Sequence, residues 1–166
     1  MTSSRTLVVM RHAKSSWKTN EPDALRPLSP RGTRDAVVAG QTLARTAFDV
    51  VLCSPALRAR QTWQCLGLGG AASGDVRVVD SLYGASSDTV LGELRALDDD
   101  AHHVLLVNHE PTVSDLVLRL ARPNLLTQQV DSRFPTAGIA TLRFEGPWSG
   151  LVDQAATLLT FRIPRG

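Results

Sequence analysis

The stretch Leu7-Val8-Val9-Met10-Arg11-His12-Ala13-Lys14-Ser15-Ser16-Trp17 decides how the chain is read. Its four leading apolar residues predict a short buried strand. The strand stops at Arg11-His12, a guanidinium beside an imidazole. An open α/β sheet binds its ligands outside the carboxyl ends of its strands. The opening strand therefore delivers two chemically useful side chains to the edge where a site is built.

Working outward, a polar segment with Pro22 and Pro27 reads as a loop up to Leu28. Ser29-Pro30 then signals a helix over about 30–46, because serine caps free N–H groups and proline suits the first helical position. Asp49–Cys53 reads as a second strand, and Ser54-Pro55 repeats the cap-then-proline signal before a helix over about 55–66. Gly67–Gly74 lacks the lysine of a phosphate-binding P-loop and reads as a loop only. Val76–Val79 is a third strand, and Ser86 or Ser87 caps a helix over about 88–97. His103–Val107 is a fourth strand, ending at Asn108-His109-Glu110-Pro111 ahead of a helix over about 112–121. Arg122–Pro135 reads as a loop, and Gly138–Phe144 and Ala155–Ile163 as two late antiparallel strands.

Strands that alternate with helices imply a parallel sheet covered on both faces. The expectation is an α/β fold: a three-layer α/β/α sandwich with a mostly parallel central sheet and a late antiparallel strand, formed by one domain over 1–166.

Composition narrows the function. With 43% hydrophobic and 20% charged residues the chain has an ordinary globular composition, not a disordered one. A net charge of +2, without a basic block, argues against nucleic acid. No apolar run approaches a membrane span, and Met1–Arg5 carries no leader pattern, so the expected location is the cytoplasm. Of the 18 basic residues only Lys14 and Lys18 are lysines, so individual arginines are weighed by position. Cys53 and Cys65 show no metal or disulfide spacing and read as packed thiols. The Asp98-Asp99-Asp100 run reads as a solvated turn, because it lacks the carboxylate spacing of a cation loop.

Three predicted strand ends bring polar residues to one edge: Arg11-His12, Ser54 to Arg58, and Asn108-His109-Glu110. Arg58 falls in the first turn of its helix, and helical side chains lean back toward the N-terminus. Two arginines and two histidines converging there form an anion site, since guanidinium forks match phosphate oxygens. Arg34 and Arg60 read as surface charges, and His102 and His103 lie at the opposite strand end.

These segments resemble the histidine phosphatase superfamily: Val9-Met10-Arg11-His12-Ala13, Leu28-Ser29-Pro30-Arg31-Gly32, Ser54-Pro55-Ala56-Leu57-Arg58 through Thr62, and Leu106-Val107-Asn108-His109-Glu110-Pro111. Within it, the short chain is similar to the SixA-type phosphohistidine phosphatases. Ala13 stands where the family usually has glycine. The resemblance implies a phosphoglycerate mutase-like fold, no cofactor and no metal. It implies that His12 is the nucleophile and that Arg11, Arg58 and His109 hold the transferring phosphoryl group. Covalent catalysis would then run through a phosphohistidine on His12. The implied partner is a phosphorylated substrate, a phosphohistidine protein in the SixA case.

An alkoxide leaving group needs a proton donor. Glu110 is the candidate, by similarity to the His-Asp pair of the acid phosphatase branch. Ser15 is a candidate phosphate ligand. Trp17 and Tyr83 are candidates for the site walls, with simple packing as the plainer expectation. A small-molecule phosphomonoesterase or a mutase-like enzyme is the alternative within the superfamily, and a non-catalytic phospho-ligand binder the alternative outside it. A cysteine phosphatase is disfavoured: four residues separate Cys53 from Arg58 where that loop needs five, and no glycine lies between them. The oligomeric state has no signature in the sequence.

Overall fold

The computed structural model describes residues 3–166. Met1 and Thr2, at the head of the stretch read as leaderless, lie outside the described residues. The elements in order are β1 (Ser4–Arg11), α1 (Pro30–Leu43), β2 (Val50–Cys53), α2 (Leu57–Gly69), β3 (Val76–Val78) and α3 (Ser87–Arg95). Then follow β4 (His103–Asn108), α4 (Thr112–Leu120), α5 (Leu125–Ser132), β5 (Ile139–Glu145) and β6 (Thr157–Arg162).

The six strands form one sheet in the order β3-β2-β4-β1-β5-β6. The first four of that order run parallel, β5 runs antiparallel to its neighbours β1 and β6, and β6 again points the way of β1. This is the expected mostly parallel sheet with a late antiparallel strand.

Strand side chains alternate between faces, and two cores result. Leu7, Val9, Val104 and Leu106 pack toward α3, α4 and α5, with Leu91, Leu116 and Val130. Val8, Met10, Leu105 and Val107 pack toward α1 and α2, with Ala36, Ala39 and Leu66. Residues 104–108 of β4 are all buried, which is why that strand reads as a continuous apolar run. Burying one such side chain is worth ~1.5–3 kcal/mol. Among the described residues no helix is long and apolar enough to cross a membrane.

The register sets the site. Arg11 is the pairing partner of Asn108, and Cys53 that of Val107. The carboxyl ends of β1, β2 and β4 therefore finish at one level.

Three expectations are corrected. The segment read as a loop over 122–135 contains α5, capped by Asn124, whose side chain accepts from Thr127 N–H while Thr127 bonds back. The glycine-rich loop expected over 67–74 is helical as far as Gly69, because α1 and α2 touch there: a Cβ on Gly69 would stand 2.2 Å from the Val37 carbonyl oxygen. The helix ends at Gly70, whose φ of 116° is left-handed. Finally, Ser54 does not cap α2. That helix begins at Leu57 behind Ala56, with no side-chain cap.

Candidate active site

His12 is 7% exposed and held from several sides. Its backbone N–H donates to Asn108 O (3.0 Å), and its carbonyl accepts from Ala137 N–H (3.1 Å). The next amide, Ala13 N–H, donates to Thr62 Oγ1 (3.0 Å), which donates in turn to Arg58 O (2.6 Å). The turn after β1 is thus tied to β4 and to the first turns of α2. His12 Nδ1 lies 2.7 Å from the Ala13 carbonyl oxygen. A carbonyl only accepts, so Nδ1 carries the proton and Nε2 keeps its lone pair. Burial, followed by the positive fields of His109, Arg58 and Arg11, pushes the His12 pKa down to about 3, although the Ala13 carbonyl pulls the other way. The imidazole is therefore neutral at physiological pH.

His109 faces it, with ring centroids 5.1 Å apart. Burial first, then Arg58, lowers its pKa to about 4. Its Nε2 shares a 2.7 Å hydrogen bond with Ser54 Oγ. Ser54 is fully buried, its oxygen accepts from Ala56 N–H (3.3 Å), and among the described residues its hydroxyl has no acceptor other than His109, so the proton points there. This arrangement puts the remaining His109 proton on Nδ1, a buried atom with no protein partner. Ser54 serves the site instead of the helix.

Arg11 and Arg58 complete the cage. Arg11 donates to Phe134 O (2.9 Å), in the segment between α5 and β5. Arg58 donates to Asp23, through one nitrogen to the carbonyl (2.7 Å) and through the other to the carboxylate (3.1 Å). In both arginines Nε is buried and unpartnered. Buried N–H groups are rarely left so. With His109 Nδ1 they make three free donors around His12, a set that suits a tetrahedral oxyanion.

The structure thus brings His12, Arg11, Arg58 and His109 together. It turns the other two candidates elsewhere. Ser15 Oγ accepts from Arg26 (2.8 Å). Both carboxylate oxygens of Glu110 accept from Ser114, one from its N–H and one from its hydroxyl, each at 2.8 Å, at the start of α4. Glu110 still reaches the site through space, since its charge acts on Arg11. Trp17 and Tyr83 are not packed in the core. Trp17 is 74% exposed, with the Arg26 guanidinium 3.6 Å above its ring. Tyr83 sets its edge against His109 at 5.9 Å and donates its hydroxyl to Asp23.

Sequence reasoning missed Asp23 and Arg26. Asp23 lies in a 3-10 turn, Asp23–Leu25, and binds Arg58, Arg26 and Tyr83 at once. The Tyr83 hydroxyl above all, and then Arg58, hold its pKa down to about 2. The only signal was an acid near Pro22 and Pro27 in a loop already placed beside the first strand end. Cys53 is excluded as a nucleophile: it is 1% exposed, and burial pushes its thiol up to about 12.

Comparison with known proteins fits this geometry. Residues 7–83 match the profile of the histidine phosphatase superfamily, branch 1. An uncharacterized protein of Mycobacterium leprae (strain TN) is 41% identical over 165 residues, covering 94% of this chain and 100% of that protein. The solved structure of a provisionally named phosphohistidine phosphatase SixA from Nakamurella multipartitia is 38% identical, with a TM-score of 0.85 over 98% of this chain and 97% of that one. A second provisionally named SixA, from Agrobacterium tumefaciens, is 31% identical, with a TM-score of 0.80 over 96% of this chain and 99% of that one.

Proposed function

The chain belongs to the histidine phosphatase superfamily, and within it we propose that it is a metal-independent phosphatase that works through a phosphohistidine on His12, with protein phosphohistidine as its substrate class. The observation that carries the reading is His12 itself: an imidazole locked by Ala13 O, neutral, with a bare Nε2 among three unpartnered donors.

The chemistry follows from that arrangement. Nε2 attacks phosphorus in line with the leaving group. The phosphoryl oxygens, which carry the charge of a loose transition state, take hydrogen bonds from Arg11, Arg58 and His109. These fixed donors do the electrostatic work a metal ion does elsewhere. Water then attacks the phosphohistidine, and the P–N electron pair returns to Nε2.

The substrate class is argued from the leaving group. The carboxylate nearest the cage, Asp23, has its pKa held at about 2 and is occupied by two arginines and a tyrosine. Glu110 spends both oxygens on Ser114. Neither carboxyl group is set to hand a proton to an alkoxide. A protonated phosphohistidine needs no such donor, because its ring leaves as neutral imidazole.

Brief exposure to a phosphorylated histidine protein, followed by quenching, tests the reading. The expected result is acid-labile, base-stable phosphate on His12, and loss of turnover by ~10³-fold or more in His12→Ala. Wild-type turnover by His12→Ala would overturn it. A kcat/KM for simple alkyl phosphates equal to that for phosphohistidine would overturn the substrate class.

A further inference from the structure

A cavity of about 450 Å3 opens beside His109, between the β4–α4 turn and the segment that leads into α3. Its lining includes Leu82, Ser86, Asn108, Glu110, Thr112 and Asp115. It holds two carboxylates and neither lysine nor arginine. The only arginine on α4, Arg119, is matched by Asp88 and Asp153 and does not cancel them. The phosphate cage, which His109 also borders, is the reverse, built on Arg11 and Arg58, and Arg11 feels the Glu110 charge. The charge of the lining thus changes from cationic to anionic around one histidine.

The acidic pair alone says little, because Asp115 sits in the first turn of α4, where the helix dipole favours it anyway. The independent observation is Asn108. Its side chain is 1% exposed, and both amide atoms, Nδ2 and Oδ1, are buried without a partner. Such a pair is costly to leave unmade and marks a site. Asn108 ends β4 in register with Arg11, so its side chain lies on the same sheet face as that cage arginine. It offers one acceptor and one N–H2 donor group.

We propose that this cavity is a leaving-group subsite for a cationic, hydrogen-bonding ring, the protonated imidazole of a phosphohistidine. The proposal rests on the phosphatase reading and deepens it. In the complex, the phosphoryl group lies in the cage and the substrate ring lies toward Asn108, with its free N–H directed to Oδ1 and its positive charge facing Glu110 and Asp115. When the new bond forms between His12 Nε2 and phosphorus, the substrate P–N bond breaks. Its electron pair returns to the substrate ring, which departs as neutral imidazole with its N–H intact. The positive charge passes to the His12 ring, and no proton has to be supplied. Glu110 then acts by its charge, which is compatible with its two hydrogen bonds to Ser114.

The test uses two phenyl phosphates of equal shape, one with a para trimethylammonium group and one with a para tert-butyl group, and compares their kcat/KM. Asp115 is exposed, so Asp115→Asn is not expected to disturb folding. In the Asp115→Asn/Glu110→Gln double variant, the ratio of cationic to neutral ester is expected to fall by ~5–25-fold, mainly through KM, from the loss of two nearby charges. The single Asp115→Asn variant is expected to show ~3–5-fold. Hydrolysis of both esters with an unchanged ratio in the variants overturns the subsite and leaves the phosphatase reading standing. Turnover of a phosphorylated histidine protein with neither ester hydrolysed by the wild-type protein overturns the subsite alone, and no turnover of any of the three overturns both.

Discussion

Asp23 grips Arg58 at two points, its carbonyl oxygen 2.7 Å from one guanidinium nitrogen and its carboxylate 3.1 Å from the other. A surface loop thereby fixes the orientation of a buried cage arginine. Asp23→Asn keeps the backbone contact and loses the charge. The side chain is 52% exposed, so solvent screens the pair and its worth is only ~1 kcal/mol. For a domain of this size that is a Tm lower by ~2–4 °C. The sign follows from the depressed pKa of about 2, set against ~3.9 in the unfolded chain. The contribution is full above pH ~4 and is lost as pH falls toward 2. Thermal melts of the two proteins should therefore differ at pH 7 and converge near pH 2. Loosening Arg58 should also lower kcat by ~10-fold. A variant with wild-type kcat would mean that Arg58 needs no such hold.

The two site histidines set the acid limb of the activity profile. Their pKa values, about 3 for His12 and about 4 for His109, lie below the ordinary histidine value because burial disfavours the charged ring. The attacking form is the neutral one. After correction for substrate ionisation, kcat/KM should stay level from pH 7 down to about 5 and fall only as pH approaches 4. A midpoint near 6.5 would show that the free enzyme's histidines titrate as exposed ones do. Stability follows the same sign, since the unfolded chain binds protons that the buried rings refuse: it is greatest above pH ~6.5 and declines as pH falls below it.

Much of this was legible in the sequence, and the exceptions have physical causes. The strand ends at Arg11-His12 and Asn108-His109 stood out because buried strands are apolar until they reach the edge. Helix α5 did not stand out. It is eight residues long, follows Pro123, and its capping box uses Thr127 where the usual signal is Glu or Gln. The role of Asp23 is a property of the folded loop: its partners, Arg58 and Tyr83, lie 35 and 60 residues away. Ser54 misled through a real regularity. Serine before proline is a good cap, yet here the helix starts three residues later and the hydroxyl turns to His109.

Chemical modification separates the two possible nucleophiles. With its thiol pushed up to about 12 and 1% of its surface exposed, Cys53 should resist iodoacetamide in the folded protein. Mass spectrometry after mild alkylation should find Cys53 unmodified and phosphatase activity retained. Modification of Cys53 with parallel loss of turnover would contradict the histidine assignment.

The seam between α1 and α2 leaves no room for a side chain. A Cβ on Gly40 would stand 2.2 Å from the Leu66 carbonyl oxygen, and one on Gly69 equally close to that of Val37. Backbone atoms cannot swing aside as a flexible side chain can. Gly40→Ala should therefore push the helices apart and cost ~1–3 kcal/mol, despite the better helix propensity of alanine. Urea denaturation measures this directly. A midpoint at or above that of the wild type would show that the seam can open freely.

Ser54 gives the sharpest test of how His109 is prepared. Its buried hydroxyl has, among the described residues, no acceptor other than His109 Nε2 and donates to it, which places the ring proton on Nδ1 within the cage. Ser54→Ala removes that donor and leaves a buried ring nitrogen without a partner. Such a loss is worth ~1–3 kcal/mol, or about 5- to 150-fold in kcat/KM if it is felt in the transition state. Ser54→Thr keeps the hydroxyl and should restore most of the rate. Nitrogen NMR of the imidazole supplies a readout that a loss of packing alone would not move: in wild type and Ser54→Thr the His109 Nδ1 should resonate as the protonated nitrogen, and in Ser54→Ala the tautomers should mix. Unchanged tautomer shifts together with an unchanged rate in Ser54→Ala would show that His109 finds its proton without Ser54.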